Sequence, residues 1–303
     1  SHPTELRPRE ELPVLVLFDG WSSFFRERVV PWRIGLAEKV RAQVEREVLP
    51  PFVAERRWYG AKGERILQVE LADHVEWKPS ERPYLLTLAR VEAASGTSQT
   101  YFLPFTLAWE DHDDERMRAL GGHTIAKVRH RAEVGILADA FGDESFCRAL
   151  VAAVASGTRV KAARGELRFM PTIEFKRLAG DGPLEVGIHA ANSSNTIVTF
   201  GERLFLKAYR RLQVGVNPEV EIGRYLTETA HFGNAVPVAG SIDYVADDGR
   251  TATVALLQGY VPNQGNAWEF SISFRAKDGN WLPPVKLPPS FRGFCPMISP
   301  DGK

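Results

Sequence analysis

Apolar residues recur along this chain at two spacings, one typical of helices and one typical of strands. Over residues 31–49, apolar positions return at steps of three and four with arginine, glutamate and glutamine between them, which predicts an amphipathic helix. Pro50 and Pro51 follow, and we expect the helix to end there because proline disfavours helix at its own position and at the one before. A second helix is predicted over residues 144–155, where a Ser-Gly pair closes the pattern.

Shorter apolar or alternating runs predict β-strands. The run LPVLVLF at residues 12–18 predicts a buried strand. In YFLPFTLAW, residues 101–109, Pro104 indicates an edge strand or a bulge because it has no N–H to donate. Gly201 and Glu202 separate two further runs and are typical of a tight hairpin turn. The remaining predicted strands cover residues 65–75, 84–92, 167–175, 196–200, 203–208 and 251–261.

The charge balance excludes some general classes of partner. Lysine plus arginine and aspartate plus glutamate each number 38, so the formal net charge is +0 and nothing favours nucleic acid or an anionic membrane. No apolar run is long enough to span a membrane, and the polar N-terminus has no signal-peptide core, so a cytoplasmic protein is expected. Cys147 and Cys295 match no metal-ligand spacing and are expected to be free thiols.

An acidic run and a set of tryptophans could each be functional, but each also has a structural explanation. The acidic run at residues 111–115 is expected to be a solvated loop and not a metal site. Trp58, Trp77, Trp109 and Trp268 would suit a surface that stacks on sugars, but seven tryptophans in a chain of 303 residues are more often core residues.

The densest chemistry lies between residues 192 and 261. There a polar turn, a hairpin, a strand with a lysine and a helix with acidic residues follow one another. Nucleotide-binding kinase lobes have this order, with the lysine on the α- and β-phosphates and a helix glutamate holding it. By alternation Lys207 shares a face with Phe205, while Leu204 and Leu206 point the other way. On spacing alone a solvent-facing lysine on an edge strand is the commoner outcome, so both interpretations stay open.

Two glutamates compete as the partner of Lys207. A helix is predicted to begin at Pro218 and to run to residue 229. Glu219 and Glu221 lie two residues apart in it, so they cannot share one face. Apolar residues follow Glu221 at one, four and five positions, which places it at the border of the apolar stripe and favours it. Glu219 suits the helix dipole.

A hydroxyl-rich segment before the first of these strands is the candidate cover over the phosphates. It contains Ser193, Ser194, Asn195 and Thr196. The segment is not glycine-rich, so it matches neither of the glycine-rich phosphate-binding motifs. Alone it is weak evidence, since such runs usually form a turn.

Longer strings carry a resemblance to a known family. SSNTIVTFGERLFLKAYRRLQVGVNPEVEIGRYLTE, residues 193–228, closely resembles the N-lobe of maltokinases, including those fused to trehalose synthase. The resemblance spans residues 45–274 and includes, in the family's order, LPPFVAERRWYGAKG at 49–63, YFLPFTLAWE at 101–110, ILADAFGDESFCRALVAAVASG at 136–157 and LLQGYVPNQGNAWEF at 256–270.

The resemblance implies an α+β fold with a protein-kinase-like N-lobe, similar to that of aminoglycoside phosphotransferases, an N-terminal cap subdomain and a truncated end. Residues 1–44 look like the linker region that follows trehalose synthase, and residues 45–135 look like the cap. Residues 136–274 would hold an intermediate region and the N-lobe. Residues 275–303 form an atypical, proline-rich tail of the kind that a frameshift produces.

The same resemblance implies the site and the reaction. Lys207 would bind the ATP phosphates, Glu221 would hold it, and residues 193–196 would cover them. Gln258 and Tyr260, on either side of Gly259, would form the hinge that meets the adenine. The implied reaction, with Mg²⁺, converts ATP and maltose to maltose 1-phosphate on the route from trehalose to α-glucan. Trehalose synthase is the implied protein partner.

The sequence departs from the family in two places. Asn192 and Ser193 stand where the family has a Glu-Gln pair. The strings HGDLHLGQ and IDFEG, which carry the family's catalytic and metal-binding aspartates, are not found. Phosphoryl transfer depends on positioning and on Mg²⁺, so we expect a folded fragment that binds nucleotide weakly and does not catalyse. The alternatives are a non-catalytic module associated with trehalose synthase, or a kinase for another small molecule such as an aminoglycoside or choline.

Overall fold

The structure is a computed structural model that describes residues 12–189 and 194–262, and the backbone of 271–272 and 285–286. It is a mixed α+β protein, as expected. The α-helices are α1 (Ile34–Gln43), α2 (Leu49–Ala54), α3 (Asp114–Ala119), α4 (Glu144–Ser156), α5 (Phe175–Ala179) and α6 (Pro218–Arg224). The strands are β1 (Val14–Leu17), β2 (Ile66–Trp77), β3 (Tyr84–Ala93), β4 (Ser98–Trp109), β5 (Thr124–His130), β6 (Glu133–Asp139), β7 (Arg159–Lys161), β8 (Gly165–Pro171), β9 (Val186–Ile188), β10 (Thr196–Phe200), β11 (Leu204–Ala208), β12 (Arg211–Leu212), β13 (Val238–Ala246), β14 (Thr251–Gly259), β15 (Ser271–Ile272) and β16 (Val285–Lys286).

Most strands belong to two sheets. The first sheet has the order β1-β5-β6-β4-β3-β2, with β12 added beside β4. The second sheet has the order β7-β8-β13-β14-β11-β10-β9. One hydrophobic core contains α4 together with inward side chains of both sheets, and another lies between the first sheet and the helices of residues 34–54. The result is a layered arrangement in which the two sheets share a core.

The segment before residue 45, predicted as a linker, packs onto the first sheet. Strand β1 pairs with β5 in parallel, and Phe24 and Phe25 are buried in the core beneath. Strand β1 is an edge strand with one face exposed, since Val14 is 45% and Val16 63% accessible. The prediction of a fully buried strand was therefore wrong for one of its faces.

The helix over residues 31–49 does not end at the two prolines. After α1 the chain makes a π-helical turn at Val44–Val48 and continues directly into α2. Pro50 and Pro51 occupy the first turn of α2, where a missing N–H costs little because first-turn donors have no partner within the helix. The expected helix end was wrong for that reason.

Pro104 lies inside the first sheet and not at an edge. Strand β4 has β3 on one side along most of its length. On the other side it pairs with β12 only at Thr100 and Tyr101, and with β6 only from Phe105 onward. Pro104 falls in the gap between these two partners, so its missing N–H breaks no ladder bond on that side.

The expected boundary between residues 135 and 136 falls within strand β6. This strand runs from Glu133 to Asp139 and pairs with both β5 and β4. Helix α4 follows at once, with the Asp143 carboxylate accepting from the Ser145 N–H at 2.9 Å. Gly157 ends the helix in the left-handed region, as its position after the apolar run predicted.

The second sheet contains the predicted hairpin. Strands β10 and β11 pair in antiparallel register from Thr196↔Ala208 to Phe200↔Leu204. Gly201 makes the turn with a φ of 56°, a conformation that costs glycine little. Strand β13, which no sequence pattern identified, lies between β8 and β14 and completes the centre of the sheet. Within the described part of the chain, no helix combines the length and apolarity needed to cross a membrane.

Candidate functional site

Lys207 lies on an interior strand of the second sheet. It pairs with Ile197 of β10 on one side and with Leu256 of β14 on the other. Leu204 and Leu206 of the same strand are buried in the core, so Lys207 points to the opposite face, as alternation predicted. The alternative of an edge-strand lysine is excluded, and the side chain is 25% exposed.

The partner of Lys207 is Glu219. Its Oε2 accepts from Lys207 Nζ at 2.6 Å and from the hydroxyl of Tyr209 at 2.7 Å. Lys207 Nζ also lies 5.3 Å from the centroid of the Tyr209 ring. Two donors therefore hold one carboxylate oxygen at the surface of the sheet.

The preference for Glu221 was wrong, and the docking of α6 explains why. Asn217 caps the helix, its Oδ1 accepting from the Glu219 N–H at 3.0 Å, which fixes the first turn beside the sheet. Val220 is buried against the sheet, whereas Ile222 is 57% exposed. Ile222 and Tyr225, two of the apolar residues after Glu221, thus face solvent, and Glu221 makes no ion pair within 4.0 Å in the described segments.

Tyr209 stays protonated beside this pair. Burial raises the pKa of its phenol, and the hydrogen bond to Glu219 raises it further. A phenol held neutral donates its hydrogen bond to the carboxylate and so helps to hold the Glu219 side chain in place. Tyr209 was not singled out from the sequence, although it lies two residues after Lys207 on the same face.

The candidate phosphate cover borders the lysine strand. Thr196 opens β10 and lies across from Ala208, one residue beyond Lys207. Ser194 is exposed, while Asn195 and Thr196 are half-buried. Ser193, the fourth predicted residue of the cover, lies outside the described residues.

The predicted hinge follows the end of β14. Gln258 lies across from Phe205 on one side and Val238 on the other. The Gly259 N–H donates to Pro237 O, and the Tyr260 N–H donates to Arg203 O, each at 2.9 Å. These two main-chain donors are thus engaged within the second sheet, while the side chains of Gln258 and Tyr260 remain half-buried.

Arg210 ties the cover to the first sheet and was missed from the sequence. It is 1% exposed, and its Nη2 donates to Asp139 Oδ2 at 2.7 Å. Its Nη1 donates to Thr196 Oγ1 at 3.3 Å, and its Nε to Phe102 O at 3.1 Å. The guanidinium carbon lies 5.0 Å from the centroid of the Trp58 ring system. A signal existed, because Arg210 continues the buried phase of the strand that Leu204 begins.

The described tryptophans lie in or against the hydrophobic cores, as the alternative to a sugar-stacking surface predicted. Trp58 and Trp77 are 5% and 7% exposed, and each belongs to a hydrophobic core. Trp109 is partly buried against one of these cores. Trp268 lies outside the described residues, as does Cys295, whereas Cys147 is a buried free thiol.

Comparison with known families gives a match over most of the first sheet. Residues 52–143 match the family model of the maltokinase N-terminal cap domain. Over this range the chain is similar to maltokinase cap domains. This finding confirms the resemblance to the maltokinase family, and the matched range covers the first sheet from β2 to the end of β6.

A solved structure is also similar to this chain. It is a glucosamine kinase in crystal form B, with 13% sequence identity and a TM-score of 0.31. The match covers 73% of this chain and 42% of the glucosamine kinase chain, so the chain spans less than half the length of that protein.

Proposed function

We propose that the second sheet is the nucleotide-binding N-lobe of a maltokinase, with Lys207 as the residue that binds the ATP phosphates. The observation that carries this proposal is the ion pair of Lys207 with Glu219, a glutamate on the helix that follows the lysine strand. Protein-kinase-like lobes use such a strand lysine and helix glutamate to hold the α- and β-phosphates.

The neighbouring groups are suitable for phosphate. Ser194 and Thr196 lie at the start of β10 beside the lysine strand and offer hydroxyl donors. Gln258 and Tyr260 lie at the exit of the sheet, where a hinge would meet the adenine. Glu219 orients the ammonium group of Lys207, and Tyr209 orients Glu219 in turn. Mg²⁺, when bound with ATP, would supply charge neutralisation on the phosphates.

The substrate proposal rests on the cap domain and on the family resemblance. We propose maltose as the phosphate acceptor and maltose 1-phosphate as the product of the complete site, in the conversion of trehalose to α-glucan in the cytoplasm. For the 303 residues of this chain we propose binding of MgATP as the measurable activity. The support is that the lysine and the start of the cover strand lie on neighbouring strands of one sheet, and that the glutamate on helix α6 contacts the lysine.

Isothermal titration of the purified chain with MgATP tests the proposal. We expect Lys207→Met to abolish the heat of binding, because the ammonium group would be lost while the apolar stem remains. Lys176→Met, an exposed lysine on α5, is the matched control and should bind as the wild type does. Equal binding by the wild type and Lys207→Met would refute the assignment. Mass spectrometry for maltose 1-phosphate on the same samples measures turnover separately.

An exposed apolar cluster favours a second candidate function, a binding module associated with trehalose synthase. Val30, Trp32 and Leu36 are 42%, 79% and 49% exposed in the segment that resembles the trehalose synthase linker. Co-elution with trehalose synthase in size-exclusion chromatography, lost in Trp32→Ser and kept in an exposed control such as Ile173→Ser, would support it. Separate elution of the wild type would refute it.

A further inference from the structure

A cavity of about 390 Å³ lies between the cap and the second sheet. The loop after α2 supplies one wall through residues 57–60. The other walls come from residues 194 and 195 of the cover and from the stretch between Tyr209 and Asn217. Neither Lys207 nor Glu219 is among its described lining residues, but the wall includes Ser194 of the cover and Tyr209, which contacts Glu219, so the cavity adjoins the lysine pair.

The cavity wall is positively charged. It includes the guanidinium groups of Arg57 and Arg211 and, in the described part of the chain, no carboxylate. Arg211 has no acidic side chain within 4.0 Å among the described residues, so its charge is available to a ligand. Guanidinium groups match phosphate oxygens with two parallel hydrogen bonds.

The loop opposite Arg211 is shaped to admit its guanidinium group. A Cβ at Gly60 would lie 2.6 Å from Arg211 Nη1, the end of a flexible side chain, so a larger residue there would displace the guanidinium group. The Gly60 N–H donates to the Tyr101 hydroxyl at 3.1 Å, and that hydroxyl donates to Gln99 Oε1 at 2.5 Å. The loop is therefore held in place from beneath by the first sheet.

The rest of the wall is uncharged and combines polar with apolar groups. Gln213 and Asn217 offer amides, and Ser194 offers a hydroxyl. Val214 and Val216 are each 69% exposed and offer apolar surface. Of the aromatic lining residues, Trp58 and Tyr59 are 5% and 3% exposed, while Tyr209 is half-buried. Amides and hydroxyls beside a small apolar surface suit a molecule that carries hydroxyl groups.

We propose that this cavity binds a phosphorylated sugar, with its phosphate on Arg211 and its hydroxyls on Gln213, Asn217 and Ser194. The volume falls within the roughly 300–1,000 Å³ of typical small-molecule sites. A ligand here touches the cap, the cover and the segment before α6 at once. Its binding therefore fixes the cap against the cover beside the lysine pair.

Calorimetric titration of the full chain with glucose 6-phosphate, glucose 1-phosphate, glucose and inorganic phosphate, at constant ionic strength, tests the proposal. At least one of the two sugar phosphates should bind more tightly than inorganic phosphate, and glucose should give no heat. Arg211→Gln should weaken binding of that sugar phosphate by about tenfold or more, the effect of losing a charge-assisted hydrogen-bonded pair. Arg129→Gln, an exposed arginine on β5, is the control and should change nothing.

Three results would overturn the proposal. If neither sugar phosphate gives a heat of binding, the cavity is not a site for sugar phosphates. Inorganic phosphate binding as tightly as both sugar phosphates would reduce it to a simple anion site. Binding that Lys207→Met removes and Arg211→Gln leaves intact would place the ligand at the lysine. Titration of the same variants with MgATP reports on the nucleotide site separately, so the two proposals can fail independently.

Discussion

Arg210 and Asp139 form an ion pair across the boundary between the two sheets, with 2.7 Å between Nη2 and Oδ2. The side chains are 1% and 9% exposed. Asp139 ends β6 of the first sheet, while Arg210 follows the lysine strand of the second. Buried charges need their partners, since each alone would retain the cost of leaving water. The pair therefore constrains how the first sheet can lie on the second.

Replacing Arg210 with methionine should destabilise the chain strongly. The change leaves Asp139 buried without its partner, a loss of about 3–5 kcal/mol in the free energy of unfolding. Urea unfolding followed by tryptophan fluorescence measures it. Arg250→Met breaks the exposed pair with Asp248 and should leave the midpoint unchanged. If both variants unfold at the same urea concentration, the Arg210 pair has no special role.

The two glutamates of α6 provide a matched pair of variants for the lysine site. Glu219→Gln removes the charge that Lys207 contacts and should weaken MgATP binding by about tenfold. Glu221→Gln changes an exposed side chain one half-turn away and should have no effect. Titration calorimetry of both variants decides between them. A larger effect at Glu221 would mean that the helix turns when nucleotide binds.

Acid should destabilise the cap through His74. Its ring stacks on Phe25 with 3.4 Å between centroids, and its Nε2 lies 3.3 Å from Glu27 Oε1. Burial lowers the pKa of His74 from 6.5 to about 4, although Glu27 and Asp73 oppose the shift, while Arg41 and Arg28 add to it.

Because its folded pKa lies below its unfolded pKa, His74 is protonated first in the unfolded chain as the pH falls. The stability it contributes is therefore present above pH 6.5 and lost down to about pH 4. The loss reaches about 3 kcal/mol at the acid end. Urea midpoints measured across this window should depend less on pH in His74→Gln than in the wild type. His112→Gln, whose side chain is 69% exposed, should keep the wild-type dependence. An unchanged pH dependence in His74→Gln would contradict the prediction.

Gly240 should tolerate no side chain. A Cβ there would lie 2.6 Å from the main-chain oxygen of Met170 and 2.5 Å from Val154 Cγ1, and the main-chain atom cannot move aside cheaply. Overpacking of this kind costs about 1–3 kcal/mol, so Gly240→Ala should lower the thermal midpoint. Gly233→Ala, where nothing lies within 4 Å, is the control. Equal midpoints would show that β13 and β8 can separate at little cost.

Local patterns predicted those parts of the site that depend on neighbours in sequence. The hairpin of β10 and β11 follows from a glycine turn, the face of Lys207 from alternation, and the start of α6 from Pro218. The rotation of α6 depends on what covers it. Val220 meets Leu256 of β14, a contact that no local spacing contains, and so Glu221 was favoured over Glu219.

Contacts between distant segments set the rest of the site. Arg210 finds Asp139 across 71 positions in sequence, and Arg211 faces Gly60 only because β12 adds to the first sheet. The expected helix end at Pro50 was wrong because a π-helical turn precedes it and a new helix, α2, begins there. Each error arose where a residue's role depends on a partner outside its own element.

The addition of β12 to the first sheet has a mechanical consequence. Only Tyr209 and Arg210 separate β12 from the end of β11, so the chain passes from one sheet to the other without a loop. A strand advances about 3.3 Å per residue, which places Lys207 roughly 10 Å along the backbone from Arg210. Because this connection is so short, a tilt of the cap also displaces the strand that carries Lys207.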